Sequence, residues 1–389
     1  MRRIAIVGAS GFVGGTLMDE LVRLGRDEVV PLIHSSGNAW RVARHGADLK
    51  QVSLLDEHGL HKVLDGCSHV VNCSRGSNET MLEGLKHLLA VCKTQRIKRF
   101  VHLSSVAVYG DPPPPESVHE NAPTSPEKDS YGWIKLIQDK MVAEAAQGGL
   151  ACVTICPPNI GGPYSMFLLG LVEAIRAGKF ALVDDGAAVC NLVDVRNLVA
   201  AILLALDSDV SDGRRLFVTD GQDATWGGIV TPLASMIEAN LPPEISRDDL
   251  AAVARRARTK PSKSLKRAVM HLVSSDVRQA MRKDPLLESV DTVLRRAVAS
   301  LGRGVEDKLR YSIEGPLSVR RSDSISELNI GLAAQQLRGV RHSHQAATST
   351  LGYQPAISFE RSMLDFTEWY RELHGMNESN WDLARNLVA

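Results

Sequence analysis

Tyr131-Gly132-Trp133-Ile134-Lys135 sets a phenol and an ammonium four residues apart, which on a helix puts both on one face. A phenol of ordinary pKa, about 10, is a poor proton carrier near neutral pH. A neighbouring ammonium favours the phenolate and brings the group into a usable range, so the pair predicts acid/base work on a hydroxyl or carbonyl. The lysine is also long enough to reach a ribose hydroxyl. About 26 residues earlier, Phe100-Val101-His102-Leu103 runs into Ser104-Ser105 and then Val106-Ala107-Val108-Tyr109-Gly110. A serine hydroxyl at the end of such a strand can donate a hydrogen bond to a substrate oxygen that gains negative charge.

A third cluster opens the chain. Gly8-Ala9-Ser10-Gly11-Phe12-Val13-Gly14 follows an apolar run, Arg3–Val7, and precedes a helical pattern at residues 16–24. Glycines permit a tight turn and a close backbone approach, and the helix start then offers amides and a positive dipole end to a pyrophosphate. A second strand, residues 29–33, ends in His34-Ser35-Ser36, with Arg41 and Arg44 a turn or two beyond. An acidic residue there would accept the ribose hydroxyls of NAD. Hydroxyls and guanidinium groups instead favour the 2′-phosphate of NADP over NAD.

The elements that must carry these groups alternate in type. Short β-branched runs at residues 70–73, 100–103 and Cys152–Cys156 are separated by helical patterns at 81–94 and from Tyr131 onward. Such alternation predicts an α/β fold, a doubly wound parallel sheet of Rossmann type covered by helices on both faces, with ligands at the carboxyl ends of the strands. From about residue 240 the pattern turns helical without strands. We therefore expect a dinucleotide-binding and catalytic domain over residues 1–240. A smaller, mainly helical substrate-binding region follows over 241–389, with an unusual insert at 242–345.

Glycine loop, Ser-Ser-x-x-Val-Tyr-Gly and Tyr-x-x-x-Lys, in this order and at these intervals, resemble the extended short-chain dehydrogenases/reductases, the NAD-dependent epimerase/dehydratase family. The resemblance continues through Pro157-Pro158-Asn159-Ile160-Gly161-Gly162-Pro163-Tyr164, through Asn191-Leu192-Val193-Asp194-Val195-Arg196-Asn197-Leu198, and through Leu351-Gly352-Tyr353-Gln354-Pro355. It implies that Tyr131 is the proton donor and acceptor, that Lys135 orients the cofactor ribose, and that Ser105, rather than Ser104, polarises the substrate oxygen. It further implies a cofactor site made by Gly8, Ser10, Gly11, Phe12, Val13, Gly14, His34, Ser35, Ser36, Arg41, Cys73, Lys135, Pro158 and Ile160, and a dimer through the helices near residues 80–95 and 131–146.

Departures from the family pattern narrow the chemistry. The asparagine common in the helix at 81–94 is Met81, and the acidic residue near the adenine is Ser53, with Asp56 at the helix start. Val106 and Ala107 stand where the 4,6-dehydratases carry acids, which disfavours an elimination. The arginine that pairs with the diphosphate of nucleotide sugars is Cys190, with Arg176 or Arg196 as substitutes; the arginine before the proline of the fifth-strand motif is Cys156. The reading is an oxidoreductase that moves hydride between NADP or NAD and a secondary alcohol or ketone of a small molecule. A sugar-nucleotide epimerase with retained NAD is the alternative within the family. A dinucleotide-sensing regulator without chemistry is the alternative outside it, and such proteins commonly lack the Tyr–Lys pair that this chain has.

The bulk properties exclude other classes. Forty-five basic residues balance forty-five acidic ones, so no global field recruits nucleic acid or an anionic membrane. Six scattered cysteines without a paired spacing argue for a reducing, cytoplasmic setting. The N-terminal apolar run is too short for a signal peptide, and no run is long enough to span a membrane. Within the insert, residues 260–283 combine basic groups with an apolar stripe; a solvated helix is the expectation there, ahead of one lying on a membrane surface. His342 and His344 have no carboxylate or cysteine beside them, and no metal is expected.

Overall fold

The computed structural model describes residues 1–35, 39–221, 224–250, 252 and 328–374. Ser36 and most of the insert, including the basic stretch 260–283, lie outside the described residues.

Seven parallel strands form the central sheet: β1 Arg3–Val7, β2 Glu28–Ile33, β3 Lys50–Gln51, β4 His69–Asn72, β5 Arg99–Leu103, β6 Cys152–Cys156 and, last in the chain, β10 Asp212–Phe217. Their order across the sheet is β10-β6-β5-β4-β1-β2-β3. The chain runs outward from β1 to β3, then returns to β4 on the other side. The strand order therefore reverses between β1 and β4, the crevice where such sheets bind ligands. Ile4 to Val7 are at most 3% exposed, as a strand covered on both faces requires.

Helices cover both faces. One side carries α1 Phe12–Leu24 and α7 Val195–Asp207, packed through Val13, Leu17, Leu21, Leu198 and Ile202. The other carries α3 Glu57–Val63, α4 Asn78–Thr94 and α5 Tyr131–Gln147, which bury Leu60, Leu85, Leu88 and Val142 over Val70 and Phe100. The short helix α2 Trp40–Ala43 lies against α1. Asp56 caps α3 by accepting the Gly59 amide at 2.9 Å, in keeping with its expected place at a helix start.

A second apolar cluster joins α6 Met166–Arg176, α8 Trp226–Met236 and the helix that ends the described chain, α11 Phe359–His374. Trp226, Phe366 and Leu171 are its fully buried centre. Two small parallel pairs flank it: β7 Asn159–Gly161 with β9 Leu192–Asp194, and β8 Leu182–Val183 with β11 Glu244–Ile245. A strand thus follows residue 240, in a stretch whose pattern reads as mainly helical. The periodicity of two residues is too short to read, and β11 exists because β8 offers it a partner. The segment 328–344 holds a short helix, α9 Ile330–Ala334, and the buried His342, whose Nδ1 meets the Ser117 carbonyl at 2.6 Å. Further on, α10 Gln345–Leu351 and Tyr353 return to the face of α7, where the Tyr353 hydroxyl donates to the Thr219 carbonyl at 3.1 Å. The chain beyond 240 therefore contributes to the α1–α7 face of the sheet and to the α6–α8–α11 cluster.

Candidate active site

The glycine loop leaves β1 with Gly8 at φ +82°, and the amides of Gly8 and Ala9 both donate to the Leu32 carbonyl of β2. A side chain at Gly14 would place its Cβ 2.3 Å from the Gly8 carbonyl oxygen, so only glycine lets α1 start this close to the loop. Gly11 stands at the helix start and no side chain caps it, which leaves the first amides of α1, those of Phe12 and Val13, directed at the crevice. Cys73 follows β4 on the other side of the switch point; its amide donates to the Val7 carbonyl, and burial pushes its thiol up to about 12. Ser10, Gly8 and Phe12 are half-buried, Gly11 is exposed, and Val13 and Gly14 are buried. This uncapped, side-chain-free cradle fits a dinucleotide pyrophosphate.

At the carboxyl end of β5 the two serines diverge. Ser104 is 3% exposed and faces Asp139, whereas the half-buried Ser105 interacts with the Tyr131 hydroxyl. Ser105 also starts a 3-10 turn, Val106–Tyr109, by accepting the Ala107 amide at 3.2 Å. Helix α5 is seated on that turn. Ser130 caps it by accepting the Trp133 amide, and Gly132 makes the contact: a Cβ there would lie 2.1 Å from the Ala107 carbonyl oxygen. Half-buried Pro158 and Ile160 lie just past β6, and the Pro157 carbonyl accepts the Val106 amide.

An amphipathic helix ordinarily buries an apolar stripe. The helix α5 instead also sends Lys135, Gln138 and Asp139 inward, each at most 4% exposed. Lys135 Nζ donates to the Leu103 carbonyl at 2.8 Å, and burial lowers its pKa to about 8. Asp139, one turn on, is pushed up to about 6 by burial and lies 3.0 Å from Arg215. Tyr131 presents its ring at the mouth, 41% exposed. Burial around the hydroxyl raises its pKa. The leading opposing charge is Arg75, whose guanidinium carbon stands 5.1 Å from the ring centroid. Lys135 had been expected in that role. Arg75 went unread in the sequence because it belongs to no spacing; only its place two residues past Cys73 hints at the site.

His34 and Ser35 are exposed at the end of β2. Arg41 has other partners than the open end of that strand. It is 6% exposed, lies 4.2 Å over the Tyr164 ring, and reaches Thr16 Oγ1 at 3.3 Å and Asp19 at 3.5 Å. Arg44 pairs with the same Asp19 at 2.7 Å. Tyr164 in turn contacts Trp40 and Trp369, linking α2 to α11. The two arginines considered for a diphosphate are engaged as well: Arg196 is held by Asp194 and Asp365, and Arg176 lies over Tyr370. Cys190 is 2% exposed and faces Asn159. His342 and His344 bond to Ser117 and Thr219, and no group of three metal-ligating side chains occurs among the described residues. No helix among them is long and apolar enough to cross a membrane.

Comparison with known proteins settles the lineage. The model of the NAD dependent epimerase/dehydratase family matches residues 4–218, more than half of the chain. The chain belongs to that family. It is an enzyme of the extended short-chain dehydrogenase/reductase type, as the motif order implied. Among curated relatives is the 4-hydroxy-2-methyl-3-oxo-4-farnesyl-3,4-dihydroquinoline-1-oxide ketoreductase of Stigmatella aurantiaca, 28% identical over 243 residues, 59% of this chain and 72% of that one. Another is the decarboxylating sterol-4-alpha-carboxylate 3-dehydrogenase of Dictyostelium discoideum, 24% identical over 58% of this chain and 74% of that one. The UDP-glucose 4-epimerase of Streptomyces lividans is 29% identical over 40% of this chain and 52% of its own length. In three dimensions the fold is similar to a dTDP-glucose 4,6-dehydratase from Bacillus anthracis solved with NAD. That match has a TM-score of 0.64 at 14% identity and covers 97% of this chain and 99% of that one.

Proposed function

We propose that this enzyme moves hydride between a nicotinamide dinucleotide and a secondary alcohol or ketone carbon of a small molecule, with NADP favoured over NAD. The observation that carries the reading is the meeting of Ser105, at the carboxyl end of β5, with Tyr131, at the amino end of α5, with Lys135 held on the Leu103 carbonyl one turn on, beside the glycine cradle at the switch point. The cofactor, when bound, supplies or accepts the hydride. The cradle formed by Gly8, Ser10, Gly11, Phe12, Val13 and Gly14 would hold its pyrophosphate, and Cys73, Pro158 and Ile160 would line the nicotinamide end. Lys135 would turn from the Leu103 carbonyl toward the ribose.

In this reading Ser105 donates a hydrogen bond to the substrate oxygen and Tyr131 gives or takes that oxygen's proton. Burial raises the Tyr131 pKa, which suits a proton donor to a developing alkoxide; the Arg75 charge eases the return of the phenolate form. His34 and Ser35, exposed and without a carboxylate between them, support the preference for a 2′-phosphate; Arg41 does not, since Asp19 and Tyr164 already engage it. A relative named a ketoreductase supports a carbonyl substrate. The sugar-nucleotide epimerase reading is weakened by buried Cys190 and by the pairing of Arg196 with two carboxylates. We further propose a homodimer through α4 and α5.

The test is titration with NADPH and NADH separately, with cofactor retention after gel filtration, followed by Tyr131→Phe. We expect cofactor binding to survive in that variant and turnover to fall by about 10²–10⁴-fold. A variant with full turnover would remove Tyr131 from the reaction. Retained NAD with no net change in NADH would favour the epimerase.

A further inference from the structure

We propose that Arg75 receives a carboxylate of the substrate, so that the molecule transformed at Tyr131 is a 3-oxo or 3-hydroxy acid. The inference rests on the oxidoreductase reading above and names its substrate class.

Arg75 lies in the loop between β4 and α4, exposed, with its guanidinium over the ring of Tyr131. Its situation differs from that of the other arginines near the crevice. Arg41 has Asp19, Arg196 has Asp194 and Asp365, and Arg215 has Asp139. Arg75 has no hydrogen bond and no ion pair among the described residues. The acid nearest the site, Asp139, is buried behind Lys135 and held by Arg215. Arg75 therefore sets a positive charge over the Tyr131 ring with no anion paired to it among the described residues, and the same charge contributes to lowering the Lys135 pKa. An exposed, unpaired guanidinium in a crevice attracts an anionic ligand.

The geometry limits where that anion belongs on the substrate. The guanidinium carbon is 5.1 Å from the Tyr131 ring centroid, so the two groups can hold neighbouring parts of one small molecule. A three-carbon unit is long enough to place a substrate oxygen about 2.7 Å from the Tyr131 hydroxyl while its carboxylate makes bidentate contact with the guanidinium at about 2.8 Å. That unit is a carbinol or carbonyl carbon, one methylene or substituted carbon, and the carboxyl. In the oxidative direction the hydroxyl proton passes to the Tyr131 oxygen, the C–H bond breaks with its electron pair leaving as hydride to the oxidised nicotinamide, and the C–O bond becomes a carbonyl. The carboxylate is unchanged. Reduction is the reverse, with NAD(P)H as the reductant.

The experiment compares 3-oxooctanoate, its methyl ester and 2-heptanone as substrates of the full chain, following NAD(P)H absorbance, for the native enzyme and for Arg75→Gln and Arg75→Lys. We expect kcat/KM for the acid to exceed that for the ester by about 10–100-fold, as a charge-assisted bidentate contact gives. The ratio should collapse toward one in Arg75→Gln and return in part in Arg75→Lys. Equal use of acid and ester by the native enzyme, or a ratio that Arg75→Gln leaves intact, overturns the assignment. So does an Arg75→Gln variant whose ester pH–rate profile shifts with the ratio unchanged, which would make Arg75 a tuner of Tyr131. Loss of cofactor retention in Arg75→Gln would assign the guanidinium to the cofactor phosphates. Failure of all three substrates with cofactor retained overturns the substrate class, while failure to retain either cofactor overturns the oxidoreductase reading beneath it.

Discussion

Replacing Gly132 by alanine should separate the catalytic pair without touching either member. The added Cβ would lie 2.1 Å from the Ala107 carbonyl oxygen, 2.9 Å from its carbon and 3.2 Å from Pro126 Cβ. An ordinary carbon–oxygen contact is about 3.3 Å, so the start of α5 must retreat from the Val106–Tyr109 turn by about 1 Å. Overpacking of this kind costs about 1–3 kcal/mol, and the helix propensity gained from Gly→Ala offsets at most about 1 kcal/mol of it. The same retreat carries Tyr131 away from Ser105, and a displacement of about 1 Å at a reacting group costs about 10²-fold in rate. The assay pairs urea unfolding with kcat on a ketone substrate, and Gly170→Ala is the control. Gly170 also lies inside a helix, but a Cβ there meets nothing within 4 Å, so that variant should keep its activity and gain about 0.5–1 kcal/mol. A Gly132→Ala enzyme with the native unfolding midpoint and native kcat would refute the claim that this contact seats Tyr131.

Two further outcomes are expected. Burial pushes the Asp220 carboxyl, which accepts hydrogen bonds from the Asp194 amide and from Asn197, up to about 7 from an ordinary 3.8. Because the folded form holds its proton more tightly, this group's contribution to stability is complete below about pH 4 and is lost as pH rises to about 7. Asp220→Asn should therefore flatten the fall in unfolding midpoint between pH 5 and pH 8, measured in urea, and an unchanged slope would exclude Asp220 as its source. At the end of β2, Ser35→Asp places a carboxylate where the 2′-phosphate is proposed to lie, and the ratio of NADPH to NADH affinity should drop by about tenfold. A ratio unaffected by that charge would move the adenosine end of the cofactor elsewhere.

Much of the fold and the site was legible from local spacing. The alternation of β-branched runs and helical patterns marked β1, β2, β4, β5 and β6, because a strand covered on both faces must be apolar throughout; the edge strand β10, Asp-Gly-Arg-Arg-Leu-Phe, is half polar and went unread. Gly8, Gly11 and Gly14 marked the cradle, because a turn this tight and a helix start this close admit no side chain. Tyr131 and Lys135 shared a helix face by period alone. The family's later motifs were readable for a related reason: Asn197 gathers the Ala356 and Ile357 amides and the Asp220 carboxylate, so its surroundings are tied to one arrangement of backbone.

The rest was decided by residues that meet only in space. Nothing near Arg75 in the chain announces Tyr131, 56 positions on, yet the fold sets one over the other. Arg41 looked like an open cation beside the cofactor until Asp19 and Tyr164 were found against it, and Arg196 until Asp365 closed on it from α11. Ser104 and Ser105, identical in type and adjacent, were separated by the alternation of faces at a strand end, one toward Asp139 and the other toward Tyr131. Local pattern reports what a segment of backbone can do with its own neighbours. Whether a charge is free to meet a ligand depends on which distant group desolvates or neutralises it, and that information exists only once the chain has packed.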